Sequence, residues 1–167
     1  MRAFIGTKFL NARPMTRAEY CAFRGWTLPD NENETDKGWL VEYLDGGKAN
    51  TRTYAGYVSW SPDEQFQNAY REVDGLSFGL AIEALKKGCK VARAGWNGKG
   101  MWLILISGRQ KVEFSEGSPY QTAGFTNGEI LPHIDMYTVN SEGRRAFLPG
   151  WVASQTDMLA DDWCICE

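Results

Sequence analysis

The stretch from Ser77 to Gly88 constrains the fold of this 167-residue chain more than any other. Phe78, Ala81, Ile82 and Leu85 recur at i, i+3, i+4 and i+7, one buried face of a helix. Ser77 suits the N-cap, Lys86 and Lys87 lie where the helix dipole favours cations, and Gly88 suits the left-handed position past the end. A single amphipathic helix needs a sheet to cover. Strand-like segments follow at 90–93, 101–106, 111–114, 134–139, 144–148 and 163–166, parted by turn signals such as Asn140-Ser141-Glu142-Gly143. Strands in meander order with helices set to one side predict an α+β fold, an antiparallel β-sheet with short helices.

Residues 1–73 read as a separate unit. A strand is expected at 4–10. Thr16-Arg17-Ala18-Glu19 has the form of a capping box and opens a helix carrying Tyr20 and Phe23. Residues 28–38 are polar loop, and 39–44 and 54–60 are expected to pair as strands around Asp45-Gly46-Gly47. Ser61 is expected to cap a second helix with Pro62 at its first position, its apolar stripe being Phe66, Ala69 and Tyr70. The charged run Arg71-Glu72-Val73-Asp74-Gly75 is the expected seam, giving two domains, 1–73 and 76–167.

The chain carries 18 Lys and Arg against 21 Asp and Glu, and neither part is basic. That argues against gripping DNA or RNA, though a few local donors can still hold one small anion. Seven Trp in a 43% hydrophobic chain supply a core. No apolar run approaches the ~20 residues of a membrane helix, and the first residues reach a charge too early for a secretory leader, so a bacterial-type cytoplasm is expected. Cys21, Cys89, Cys164 and Cys166 are then reduced thiols serving as small core hydrophobes. With a single His and no CxxC pair, neither a metal nor another cofactor is expected.

Three stretches could carry chemistry. In Gly95-Trp96-Asn97-Gly98-Lys99-Gly100 the glycines let backbone N–H groups approach a ligand. Trp96 offers a stacking face, Asn97 a paired donor and acceptor, and Arg93 and Lys99 charge for a phosphate. The same pattern also describes a tight β-turn with a core Trp and a solvated Lys99. The phosphate-loop reading fails because Gly98-Lys99 is followed by Gly100. In Pro132-His133-Ile134-Asp135-Met136, His133 and Asp135 share one side of a strand, as a ligand clamp, an acid–base pair or a buried hydrogen-bonded pair. In the stretch from Trp151 to Trp163, N–H groups at a helix start after Ser154 could receive an anion with Gln155 and Thr156 as polar readers, while Ser154 and Asp157 by themselves better suit plain capping. No Ser–His–Asp order or GxSxG elbow occurs, so no catalytic residue is assigned and the chain is read as a non-enzyme.

The segment Val91-Ala92-Arg93-Ala94-Gly95-Trp96-Asn97-Gly98-Lys99-Gly100-Met101, with the 132–136 motif and Trp151-Val152-Ala153-Ser154-Gln155-Thr156-Asp157-Met158-Leu159-Ala160-Asp161-Asp162-Trp163, resembles the second Thoeris anti-defence family of small phage proteins. The resemblance spans about residues 76–167 with its three motifs in order. It implies a homo-oligomeric sponge, dimer or tetramer, that binds a cyclic ADP-ribose isomer in the host bacterial cytoplasm without cleaving it. It also implies a possible second site for cyclic dinucleotides. Carried over, it implies Trp96 and Asn97 in the ligand pocket, Arg93 and Gly98 at its border, and Asp135, Gln155, Thr156 and Asp157 contributing from neighbouring strands or a neighbouring subunit. Residues 1–73 have no counterpart in the shortest members. They look like a small module of other phage proteins around Gly38-Trp39-Leu40-Val41-Glu42-Tyr43 and Gly56-Tyr57-Val58-Ser59-Trp60-Ser61-Pro62. Two alternatives remain at this point: a hydrolase of the same signal using His133 and Asp135, and a protein–protein interaction module.

Overall fold

In the computed structural model the chain divides into two compact units, Met1–Arg71 and Glu72–Glu167, and every residue except Phe4, Lys99 and Glu167 is described. In the first unit, β1 (Leu10–Pro14), β2 (Gly38–Tyr43) and β3 (Tyr57–Pro62) form an antiparallel sheet in that order, with α1 (Arg17–Arg24) between β1 and β2. The first strand begins where the sequence pattern places its end. Residues 5–9 have no regular structure, and Phe4 lies outside the described residues. Leu10–Pro14 is an edge strand, exposed from Asn11 onward. Its register comes from pairing with β2, Leu10 opposite Tyr43 and Pro14 opposite Trp39, so no apolar alternation marks it.

The capping box forms as the sequence predicts: Glu19 N–H donates to Thr16 Oγ1, and Thr16 N–H donates to the Glu19 carboxylate at 2.7 Å. Tyr20 joins Met15, Leu40 and Val58 in the core of this unit, with Phe23, Tyr54 and Trp60 packed against it. The second helix starts differently from expectation. Ser61 and Pro62 remain in β3, opposite Trp39 and Gly38, and α2 (Asp63–Ala69) leaves the strand with no side-chain cap. The strand pairing of Ser61 takes it out of reach of a capping role. Trp39 anchors the helix instead, donating Nε1–H to Asp63 at 2.7 Å and stacking on the buried Phe66 at 4.6 Å between ring centres. On β3, Asn50 imitates a missing strand: its Nδ2 donates to Val58 O and its Oδ1 accepts Val58 N–H, both at 2.8 Å.

The second unit opens with α3 (Phe78–Lys86), the helix read from the sequence. Gly88 N–H donates to Leu85 O and Cys89 N–H to Ala84 O, both at 3.0 Å, with Gly88 at φ 87°. These two bonds make a Schellman motif, and the positive φ explains the glycine. Ser77 holds the N-cap backbone conformation, but its hydroxyl makes no cap bond. Ala81, Ala84 and Leu85 are buried where the helix lies on the sheet, while Phe78 turns toward Trp163 and Trp151. Burial of a side chain such as Leu85 contributes roughly 1.5–3 kcal/mol.

Five antiparallel strands form that sheet: β4 (Lys90–Arg93), β5 (Trp102–Ile106), β8 (His133–Val139), β9 (Arg145–Leu148) and β10 (Trp163–Cys166). Their order, β10-β4-β5-β8-β9, departs from a plain meander because the last strand returns to pair with the first. Trp163, fully buried, exchanges both backbone bonds with Leu76, which fixes that return. The segment expected at 111–114 does not extend this sheet. Its residues 111–113 lie in β6 (Arg109–Glu113), which pairs with β7 (Asn127–Ile130) as a separate ribbon. Residues 115–131 are structured: they hold α4 (Pro119–Thr122) and β7, with Phe114 stacked on Tyr120 at 4.3 Å. The remaining helix is α5 (Gln155–Met158). Cys21 is a buried core residue, whereas Cys89, Cys164 and Cys166 are half-buried, and all four are free. Among the described residues no helix is long and apolar enough to cross a membrane.

Asn50 yields a direct test. Asn50→Ala orphans the N–H and C=O of a residue only 1% exposed, and the expected loss is about 2 kcal/mol of stability in a urea melt. Asn50→Asp keeps the acceptor for Val58 N–H and loses the donor, so it falls between the two.

Candidate functional site

The two motifs at 93–98 and 154–163 meet through β4 and β10. Trp163 pairs with Arg93, so Asp162 falls opposite Ala94, whose N–H donates to Asp162 O at 3.1 Å. The Asp162 carboxylate accepts Gly95 N–H at 2.8 Å and Arg93 Nε–H at 2.7 Å. A Cβ on Gly95 would stand 2.6 Å from Asp162 Oδ2, so this close approach requires glycine.

Arg93 reaches onward to Asp157, Nη1 to Oδ1 at 2.9 Å, and the same oxygen accepts the Trp96 indole N–H at 3.0 Å. Its other oxygen accepts Ser154 Oγ–H at 2.6 Å and Ser154 N–H at 3.0 Å. Asp157 therefore closes a capping box on α5 and ties that helix to the 94–98 turn in one step. Trp163 completes the junction, donating Nε1–H to Asp157 O at 2.9 Å. The rings of Trp96, Trp151 and Trp163 meet edge-to-face, with centres 5.4–6.1 Å apart.

Burial raises the Asp157 carboxyl, but the hydrogen bonds from Ser154, Trp96 and Arg93 outweigh it and hold it well below the usual carboxylate range. The Arg93 hydrogen bond likewise lowers Asp162 against a smaller opposing effect of burial, with Gly95 N–H assisting. Asp162 and Asp157 raise Arg93 in turn.

The structure thus brings Arg93, Trp96 and Asp157 together. Asn97 stands exposed on the turn, and Gln155 and Thr156 stand exposed on α5. Gly98 lies tight against Met101, where a Cβ would meet Sδ at 2.5 Å. Asp135 sits apart in β8, buried, accepting Gly150 N–H at 3.3 Å with His133 Nε2 3.4 Å away. Its link to the junction runs through the chain, since Gly150 precedes Trp151. Lys99 lies outside the described residues. Of the alternatives open for each motif, the turn does hold a half-buried Trp, and Ser154 and Asp157 do cap. Sequence reasoning includes Asp162 and the two partner indoles Trp151 and Trp163 in its third stretch but gives none of them a role in the site. The available signal was the aspartate immediately before the last strand, but using it requires knowing that this strand pairs with β4, some 69 residues away.

Two outcomes are expected. Asp157→Ala strips partners from Arg93, Trp96 and Ser154 together, and a loss of about 3 kcal/mol in a denaturant melt followed by Trp fluorescence is expected. Both aspartates are more acidic folded than unfolded, so the unfolded chain binds more protons. Their contribution is complete above the unfolded value of about pH 4 and fades as pH falls below it. Melts in Asp157→Asn should accordingly start lower at neutral pH and lose less on acidification than those of the parent.

The Thoeris anti-defense 2-like domain model matches residues 76–166. Over 90 residues the chain is 36% identical to "Thoeris anti-defense 2" of Bacillus phage SP01, covering 54% of this chain and 93% of that protein. The domain match takes in the junction between β4 and β10, the turn at 94–98, Asp135 and α5. On that match and that identity, the chain belongs to the Thoeris anti-defense 2-like family of phage anti-defence proteins.

Proposed function

We propose that residues 76–167 bind and sequester a Thoeris signal of the cyclic ADP-ribose type, without cleaving it, as a homo-oligomer in the host bacterial cytoplasm. Residues 1–73 then form a separate module. The observation that carries this reading is the tethered turn. Arg93, Trp96 and Asp157 are committed to one another, while Asn97, Gln155 and Thr156 stand exposed on the same junction, the Thr156 hydroxyl 2.8 Å from that of Ser154. Arg93 and Asp157 position; Asn97, Gln155 and Thr156 read the ligand; Trp96 and Gly98 shape the wall. Asp135 steadies the Gly150–Trp151 approach behind it.

A sponge must hold its signal below the level that triggers the effector, which needs a dissociation constant around nanomolar, about −12 kcal/mol. Binding at that strength is opposed by the ordering of loops. Here the turn is already fixed by Gly95, Trp96 and Arg93, which supports tight binding by a preformed surface.

The deciding experiment mixes protein with cyclic ADP-ribose isomers, heat-denatures it and assays what is released. Intact signal in stoichiometric amount is expected; an altered product overturns the reading. Asn97→Ala should fold as the parent and weaken binding at least about tenfold, equivalent to roughly 1.4 kcal/mol. Trp96→Ala should lower both affinity and stability in calorimetry and melts. A hydrolase reading rests on one observation, the 3.4 Å approach of His133 to Asp135. It requires turnover at substoichiometric protein that His133→Ala abolishes.

A further inference from the structure

The first unit contains a cleft of about 90 Å³ lined by Asn11, Ala12, Arg13, Leu40, Glu42 and Tyr54. Glu42 is 8% exposed. Its carboxylate accepts Gly56 N–H at 3.0 Å and the Asn11 amide at 3.4 Å, both neutral donors. Among the described residues no cationic group lies within ion-pairing distance of it. A carboxylate has about four acceptor sites, so this nearly buried charge keeps unused capacity facing a cleft. The walls are firm. Arg13 Nε–H donates to Tyr54 Oη at 3.2 Å, and Phe23 packs edge-on against Tyr54. A Cβ on Gly56 would strike Tyr43 O at 2.2 Å, so that backbone can approach Glu42 only as glycine. Arg13 stands exposed at the rim with its terminal guanidinium nitrogens available.

We propose that this cleft binds a small zwitterion of the amino-acid type, its ammonium on Glu42 and its carboxylate on Arg13. An ammonium supplies three donors to a carboxylate that lacks a counter-charge, and the Tyr54 ring adds a face suited to a cation. Arg13 suits a carboxylate through its planar fork. The cleft volume limits the ligand to a few heavy atoms, which favours glycine or alanine over larger side chains. A free amino acid carries both charges at this spacing, whereas the end of a peptide carries only one of them.

The test follows the Gly56 amide of the full chain by nitrogen–proton NMR during separate titrations with glycine, ethylamine, acetate and diglycine. Glycine should shift that resonance saturably with a dissociation constant on the order of 1 mM, and ethylamine and acetate should bind at least about tenfold more weakly. Diglycine, whose two charges stand farther apart, should bind more weakly than glycine, and tighter binding of diglycine overturns the assignment to a free amino acid. Glu42→Gln, which keeps the shape, and Arg13→Gln should each weaken glycine at least about tenfold. An unmoved Gly56 resonance, or ethylamine and acetate matching glycine in the parent, overturns the proposal whether or not the variants fold. It is independent of the nucleotide reading of residues 76–167.

Discussion

One carboxylate organises the second unit. Asp157 accepts from an indole, a guanidinium, a hydroxyl and a backbone amide, so the 93–96 segment and the start of α5 share a single acceptor. A helix of four residues has too few internal bonds to persist alone. Its position therefore derives from what Asp157 holds, together with the Trp163 bond to the Asp157 carbonyl. The short aspartate side chain also brings Arg93 and Trp96 close to the helix start. The turn at 94–98, α5 and β10 consequently form one rigid piece, and any ligand surface built on them inherits that rigidity.

The electrostatics of this piece bear on what it can hold. Arg93 lies between two carboxylates, so the local sum is negative although a guanidinium sits at the centre. Its field is largely cancelled at short range, which makes it a poor free phosphate clamp and a good fastener. An anionic ligand here would rest on neutral donors such as Asn97, Gln155 and Thr156. That mode selects by shape and hydrogen-bond pattern and keeps non-specific attraction to nucleic acid low, in keeping with the chain's overall negative charge.

The readable parts of this fold were the local ones. The Thr16 and Ser154 capping boxes, the α3 stripe and the Gly88 end are decided within a few residues, and each formed as its sequence pattern dictates. Edge strand β1 escaped because its polar residues face solvent and its register comes from β2. Ser61 was misread because strand pairing to Trp39 outcompetes capping. The β6–β7 ribbon and the β10–β4 pairing are contacts between distant segments, which no local period encodes. The site divides the same way. Arg93, Trp96 and Asp157 were recognisable as chemically capable residues, but their mutual bonds depend on the β10–β4 register. That register turns three candidates for ligand contact into one another's partners.

The same bonds weigh on the choice between holding a signal and transforming it. Acid–base chemistry near neutrality needs a group whose pKa lies near the working pH. Asp157 and Asp162 are driven the other way and remain ionised through any physiological pH. Their oxygens are filled by Arg93, Trp96, Ser154 and Gly95, leaving little capacity to take a proton from a substrate. Asp135 likewise accepts from the Gly150 backbone beside His133, so a nucleophilic water placed there would compete with a structural bond. A junction with filled acceptors and exposed amides thus fits the sequestration we propose better than it fits proton transfer.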